Sequence, residues 1–284
     1  MRLLNWNIQW CRGVDGRVDP ARIAQTARAL CDPDVLCLQE VAANFPALAG
    51  SRGEDQLAVL TAAFPDHAAA VGWSVDVPDD GGGRRRFGNL ILSRFPLGRV
   101  LRHALPWPPD ASTATMPRLA LEAEIFAPWG SVRVTTTHLE YYSASQRVVQ
   151  VERLRALHAE ACAQASVVPP PRNDGGPFQT RPRPRGAILT GDCNFAPDDP
   201  LHERLCAPFE DATPRLRDAW QLLHRAAPHP PSFRLYDPAY AGRPAYCCDF
   251  VFVSEDLAPR VAALRVDAQC QASDHQPVIV EFSA

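Results

Sequence analysis

The chain has 284 residues, a formal net charge of −3, and 46% hydrophobic against 21% charged residues. That balance excludes a mainly disordered chain, and the lack of any run of about 18 apolar residues excludes a membrane-spanning helix. Weak net acidity argues against a protein that lives on non-specific duplex binding, which needs an excess of cations, but leaves room for an enzyme with a local basic groove.

Leu3 to Ile8 reads as a buried strand. Asp19-Pro20 supplies an N-cap and a first-turn proline, and Ile23, Ala27 and Leu30 follow at helical spacing through Cys31. Asp34 to Gln39 (DVLCLQ) is a second buried strand ending at Glu40, and Glu54 to Phe64 is helical. This strand-helix-strand-helix opening is typical of an α/β layer. Asp76 to Arg86, with three Gly and three Arg, predicts a loop whose charge run is solvated. Phe87 to Ser93 is a strand. Leu119 to Phe126 and Val132 to Thr137 form a hairpin about the turn Ala127-Pro128-Trp129-Gly130. Ser143 to Gln164 carries long helical periodicity. Val168 to Arg185, with three consecutive Pro and then RPRPR, is expected as an extended surface insertion inside one domain spanning 1–284. Arg181, Arg183 and Arg185 read as a solvated charge run. Strands resume at Ala187 to Thr190, Phe250 to Val253 and Pro277 to Phe282. Strands outnumber helices and arrive in runs, which suggests two packed sheets with helices outside.

All 29 basic residues are Arg, so Schiff-base and Walker-lysine mechanisms are excluded. Nine Cys without a Cys-x-x-Cys pair read as free thiols in a reducing compartment. No leader is read at the N-terminus, and the chain is expected to be cytoplasmic and monomeric.

Polar residues recur at the ends of the apolar strands: Asn7, Glu40, Asn89, His138, Asp192, Asn194, Asp249, Asp274 and His275. Alone, each is an ordinary turn or capping residue. Together they offer four carboxylates, which repel one another severely unless a cation joins them, two imidazoles and neutral amides. A hard ion such as Mg²⁺ takes oxygen ligands of this kind, so the set suits metal-assisted phosphoester hydrolysis.

The segments NWNIQ, LCLQEV, GNLILSRFPL, TTTHLEYYSASQR, LTGDCNFAPDDP, CDFVFVSEDL and SDHQPVIVEF, running from residue 5 to 282, resemble the endonuclease/exonuclease/phosphatase superfamily. The resemblance implies a DNase I-like four-layer α/β sandwich, two mixed β-sheets face to face with helices outside. It implies Asn7, Glu40 and Asp274 at a Mg²⁺ site, with Mn²⁺ as the alternative. It implies Asp192 as the water-activating carboxylate, Asn194 as the amide that orients phosphate, His275 on the scissile phosphate with Asp249 behind it, and His138 near the leaving group. The Mg²⁺ on Glu40 would polarise a phosphate oxygen while water attacks in line, with the base left open between Asp192 and the Asp249–His275 pair. Asn89, Arg118 and Tyr141 are expected on the substrate side; Tyr141 and Tyr142 either stack on a base or aromatic leaving group or cap the packing of the helix that follows. Gln9 stands where related nucleases often carry an acid. The expected activity is phosphodiester hydrolysis on a single-stranded or terminal nucleic acid or on a small phosphodiester. A phosphomonoesterase acting on a sugar or lipid phosphate and an inactive binding module on the same fold stay as alternatives.

Overall fold

The computed structural model describes residues 1–79 and 81–283. Asp80, inside the predicted loop, and Ala284, at the end of the predicted domain, lie outside the described residues. In chain order the elements are β1 (Arg2–Asn7), α1 (Pro20–Cys31), β2 (Val35–Ala43), α2 (Gln56–Ala63), β3 (Ala68–Pro78), β4 (Arg84–Ser93), β5 (Leu97–Ala104), β6 (Leu119–Ala127), β7 (Gly130–His138), α3 (Ala144–Ala165), β8 (Ala187–Asp192), α4 (Pro200–Cys206), β9 (Leu216–Asp218), α5 (Ala219–His224), β10 (Asp249–Ser254), β11 (Val261–Val266) and β12 (Val278–Phe282). Among the described residues, twelve strands form two six-stranded mixed sheets, ordered β11-β12-β1-β2-β4-β3 and β5-β6-β7-β8-β10-β9.

The layers follow from period-two alternation. Leu3 of β1 faces the inter-sheet core beside Val134, Ile188 and Val251. Its neighbours Leu4 and Trp6 face outward, where Ile23 and Ala27 of α1 and Leu60 of α2 cover them. On the other outer face Leu189, Phe250 and Phe252 pack under Val151 and Leu154 of α3 and Leu205 of α4. Both sheets are therefore covered on both faces, a four-layer α/β sandwich, and each fully buried Leu contributes roughly 1.5–3 kcal/mol. Asp19 caps α1 as the sequence predicts, accepting from the Arg22 backbone N–H at 3.0 Å, and Ser143 caps α3, accepting from that of Gln146 at 3.3 Å.

Each sheet holds one parallel pair at its middle among the described residues, β1–β2 and β7–β8. Register sets Asn7 beside Gln39 and His138 beside Asp192, while antiparallel β10 sets Asp249 beside Asp192. The polar strand ends thus gather at one end of the sandwich.

Three expectations change. Strand β2 does not end at Glu40. The register shifts between Leu38 and Val41, Glu40 sits at φ +61°, and the strand resumes opposite Gly88, so Glu40 is the re-aimed residue of a bulge. The predicted loop Asp76 to Arg86 is largely a hairpin: Asp76 pairs with Arg86 and Pro78 with Arg84 in register, and Arg84 reaches Asp76 at 2.7 Å. The Arg84 and Arg86 side chains stay 49% and 42% exposed, a solvated run that also pairs with Asp76. The stretch from 168 to 185 contains no helix or strand, but Arg183 is not solvated. Its guanidinium is buried against Glu122 at 2.5 Å and Glu124 at 3.0 Å.

Candidate active site

The chain after β1 turns through Gln9, Trp10 and Cys11, all at positive φ between 42° and 60°. Such residues cost about 1–2 kcal/mol each, and strain of this kind tends to collect at functional sites. The turn aims Gln9 Nε2 at Asp274 Oδ2, 2.8 Å away. At the end of β8, Gly191 is at φ +150°, where a Cβ would stand 2.0 Å from the Thr137 carbonyl oxygen. Only glycine lets β7 and β8 close up just before Asp192.

Asp192 is the hub. Its Oδ2 accepts from Asn7 Nδ2 at 3.0 Å and lies 3.4 Å from His138 Nε2 and 3.6 Å from His275 Nε2. The same Asn7 amide donates to Glu40 Oε1 at 3.0 Å, and His138 Nδ1 is 3.8 Å from that oxygen. His275 Nδ1 meets Asp249 Oδ2 at 2.8 Å. Asn194 donates its side-chain amide to the Leu139 carbonyl and its backbone N–H to Asp192 Oδ1. Asn7, Glu40, His138, Asp192, Asn194, Asp249, Asp274 and His275 are therefore brought together.

A cavity of about 350 Å³ opens over the cluster. Glu40, His138, Asp192, Asn194, Asp274 and His275 line its polar floor, with Gln9 and Arg118. Its walls are apolar and aromatic: Trp10, Phe45, Leu48, Phe87, Met116, Tyr141, Tyr142, Phe233 and Tyr240. Arg118 is buried and donates to Glu140 Oε2 at 3.2 Å; its Nη1 is buried without a partner among the described residues. The Tyr141 hydroxyl accepts from Arg234 at 2.9 Å. Asn89 is not brought to this cavity: its amide is buried and donates to the Leu119 carbonyl at 3.2 Å, joining β4 to β6 across the sheets.

Three residues that hold the cluster escape a reading of strand ends. Ser232 donates from Oγ to Asp249 Oδ2 at 2.6 Å, and Phe233 stacks on the His275 ring at 4.3 Å. Trp6 donates from its indole to the His275 carbonyl at 2.9 Å. Ser232 and Phe233 lie in irregular chain far from any polar-after-apolar pattern. Gln9, by contrast, stands out in the sequence as the non-acidic residue two after Asn7.

Burial raises the carboxyls of Glu40, Asp192 and Asp274, the last to about 7. Asp249 adds to the rise at Asp192, and Glu40 to that at Asp274. His275 is opposed by burial, yet Asp249, Asp192 and Asp274 outweigh it and hold the imidazole well above its usual range, so it is a cation. His138 is driven well below its usual range by burial, then by Arg118 and His275, and is neutral. Three clustered carboxyls with raised pKa values, and a Gln9 Oε1 buried without a partner among the described residues, form a hard oxygen donor set. This set fits a divalent ion such as Mg²⁺ or Mn²⁺. Glu40 and Asp274 would hold it, with Asn7 beside it.

The sequence of residues 4–275 matches the model of the Endonuclease/Exonuclease/phosphatase family. No curated protein matches the chain. Among solved structures, an endonuclease/exonuclease/phosphatase from Beutenbergia cavernae DSM 12333 is 26% identical, with a TM-score of 0.68 over 100% of this chain and 72% of that one. A humanized D. rerio TDP2 is 18% identical, with a TM-score of 0.61 over 100% and 99%. The Bacteroides thetaiotaomicron VPI-5482 mannosyl-6-phosphatase Bt3783 is 17% identical, with a TM-score of 0.63 over 100% of both chains. The last two likenesses are of fold.

Proposed function

The chain belongs to the endonuclease/exonuclease/phosphatase family, and from that premise we propose that it is a divalent-cation-dependent phosphodiesterase, with Mg²⁺ as the working ion and Mn²⁺ as a substitute. The observation that carries this reading is the pair of imidazoles, His138 and His275, at 3.4 and 3.6 Å from one oxygen of Asp192. The ion would supply Lewis-acid polarisation of a phosphate oxygen. Asp192, with its raised pKa, takes a proton from the attacking water. The charged His275, fixed by Asp249, Ser232 and Phe233, stabilises negative charge growing on the phosphate oxygens. Asn194 and Arg118 orient the phosphate. His138 presents its ring N–H to the departing oxygen.

The aromatic walls favour a diester over a monoester, since they offer the second esterified group a surface to stack on, with Tyr141 and Tyr142 nearest to that role. A nucleotide at a strand end, or a small diester with a planar group, fits this chemistry. Nine free thiols support a reducing, cytoplasmic setting. The test is hydrolysis of bis-p-nitrophenyl phosphate beside p-nitrophenyl phosphate, with Mg²⁺ or with EDTA. Metal-dependent cleavage of the diester in preference to the monoester is expected. Cleavage of the monoester alone would replace the diesterase reading with a phosphatase.

A further inference from the structure

A second convergence of metal-ligating atoms lies in the other part of the second sheet. Asp218, at the end of β9 and in register with Phe252 of β10, is buried. Its Oδ1 accepts the backbone N–H groups of Trp220 and Gln221 at 2.7 and 3.4 Å. Its Oδ2 takes two imidazoles: His202 Nε2 from α4 at 2.8 Å and His229 Nε2 from the following loop at 2.7 Å. The three side chains are 5%, 2% and 6% exposed, and the three donor atoms lie within 4.8 Å of one another.

We propose that His202, Asp218 and His229 form a second cation site, for a borderline divalent ion such as Zn²⁺, separate from the oxygen-donor cluster around Glu40. Two imidazole nitrogens and one carboxylate oxygen are the donors that Zn²⁺ accepts, whereas Mg²⁺ prefers oxygen alone. With ligand bonds of about 2.0–2.1 Å and a tetrahedral angle, two ligand atoms stand about 3.3 Å apart. The rings therefore need to withdraw from Oδ2 by only about half an ångström, with each ring proton carried on Nδ1. The two Asp218 backbone hydrogen bonds hold the carboxylate in place while they do so, as outer partners do in built metal sites.

The surroundings suit such a site. Phe250 and Phe252 stand 5.2 and 5.6 Å from the His202 ring and keep that side dry. On the other side His229 borders an open surface depression of about 410 Å³, shared with Asp198 and Cys247, which gives an ion a route in from solvent. A small cavity also borders Asp218 and His229, so water can complete the coordination. Three separate segments converge here, and the loop segment leads within four residues to Ser232 and Phe233, which hold Asp249 and His275. An ion at His229 would tether that segment.

The experiment is calorimetric titration of the full chain, stripped with a chelator and dialysed, with ZnCl2, and with CoCl2 followed by visible absorption. The expected result is a tight site with nitrogen-ligated Co²⁺ absorption that persists in Glu40→Gln. It should weaken by about a hundredfold or more in His202→Gln and His229→Gln. Gln keeps an N–H for Asp218 but is a poor Zn²⁺ ligand, and circular dichroism checks that each variant is folded. Binding of unchanged affinity in folded His229→Gln would overturn the proposal. So would loss of the site in Glu40→Gln, which would place the ion in the first cluster, or the lack of any tight Zn²⁺ site.

Discussion

Asn7 donates its side-chain amide to Asp192 across 3.0 Å, from the end of β1 in one sheet to the end of β8 in the other. The same nitrogen serves Glu40 at 3.0 Å. One neutral donor therefore spaces two buried carboxylates that would otherwise face each other unshielded. Removing it in Asn7→Ala leaves both without that partner. A hydrogen bond to a charged group is worth about 1.5–3 kcal/mol, so kcat/KM should fall by about 10- to 100-fold. Steady-state rates on a diester substrate, with a thermal melt to confirm an intact fold, check this.

Ser232 ties Asp249 to its position, donating at 2.6 Å while accepting the backbone N–H groups of Cys248 and Asp249 at 3.1 and 3.2 Å. Ser232→Ala frees the carboxylate that anchors His275. A fall in kcat of about tenfold is expected, with KM nearly unchanged, because His275 acts on charge that develops during the reaction. Ser232→Thr, which keeps the hydroxyl, should recover most of the loss.

Arg183 is buried between Glu122 and Glu124, and Arg133 approaches Glu122 at 3.6 Å. Arg183→Ala strands two buried carboxylates with less compensation, which costs about 3–5 kcal/mol when a buried pair is broken. Denaturant melts should show that loss, and Arg181→Ala, on an exposed neighbour, should change stability by about 0.5 kcal/mol or less.

His158 gives the protein an acid-sensitive step. Burial, then Arg133, holds its imidazole down to about 4, and its nitrogens engage Arg133 Nη2 at 3.1 Å and the Pro214 carbonyl at 2.8 Å. Above pH 6.5 the ring is neutral in both folded and unfolded chains. Between about 6.5 and 4 the unfolded chain takes up a proton that the folded chain refuses, so stability is lost as pH falls through that window, by about 3 kcal/mol in all. Urea melts from pH 7 to 4 should show this component, and it should be missing in His158→Gln.

The strand-end residues were legible because a polar residue after an apolar run needs only local pattern to be noticed. Their convergence follows from two central parallel pairs, which no local pattern encodes. Strand β3 escapes a pattern reading because AAAVGWSVDVP is half exposed and Ala-rich, so it shows little alternation. Strand β11 is an edge strand with exposed residues and reads as surface. The Arg183 reading fails because composition cannot show that Glu122 lies opposite an arginine. Asn89 shares the strand-end signature but spends its amide on the Leu119 carbonyl, a long-range partner invisible in sequence. Ser232 and Phe233 carry no signature at all, since their role is set only by contact with Asp249 and His275.

The most direct test of the central claim is the Mg²⁺ dependence of bis-p-nitrophenyl phosphate turnover in the wild-type chain and in Glu40→Gln. The account predicts that EDTA abolishes turnover, that Mg²⁺ restores it, and that Glu40→Gln removes it or shifts half-activation to far higher Mg²⁺, with the melting temperature retained. Turnover indifferent to EDTA, or a Glu40→Gln curve that overlays the wild type, would contradict it.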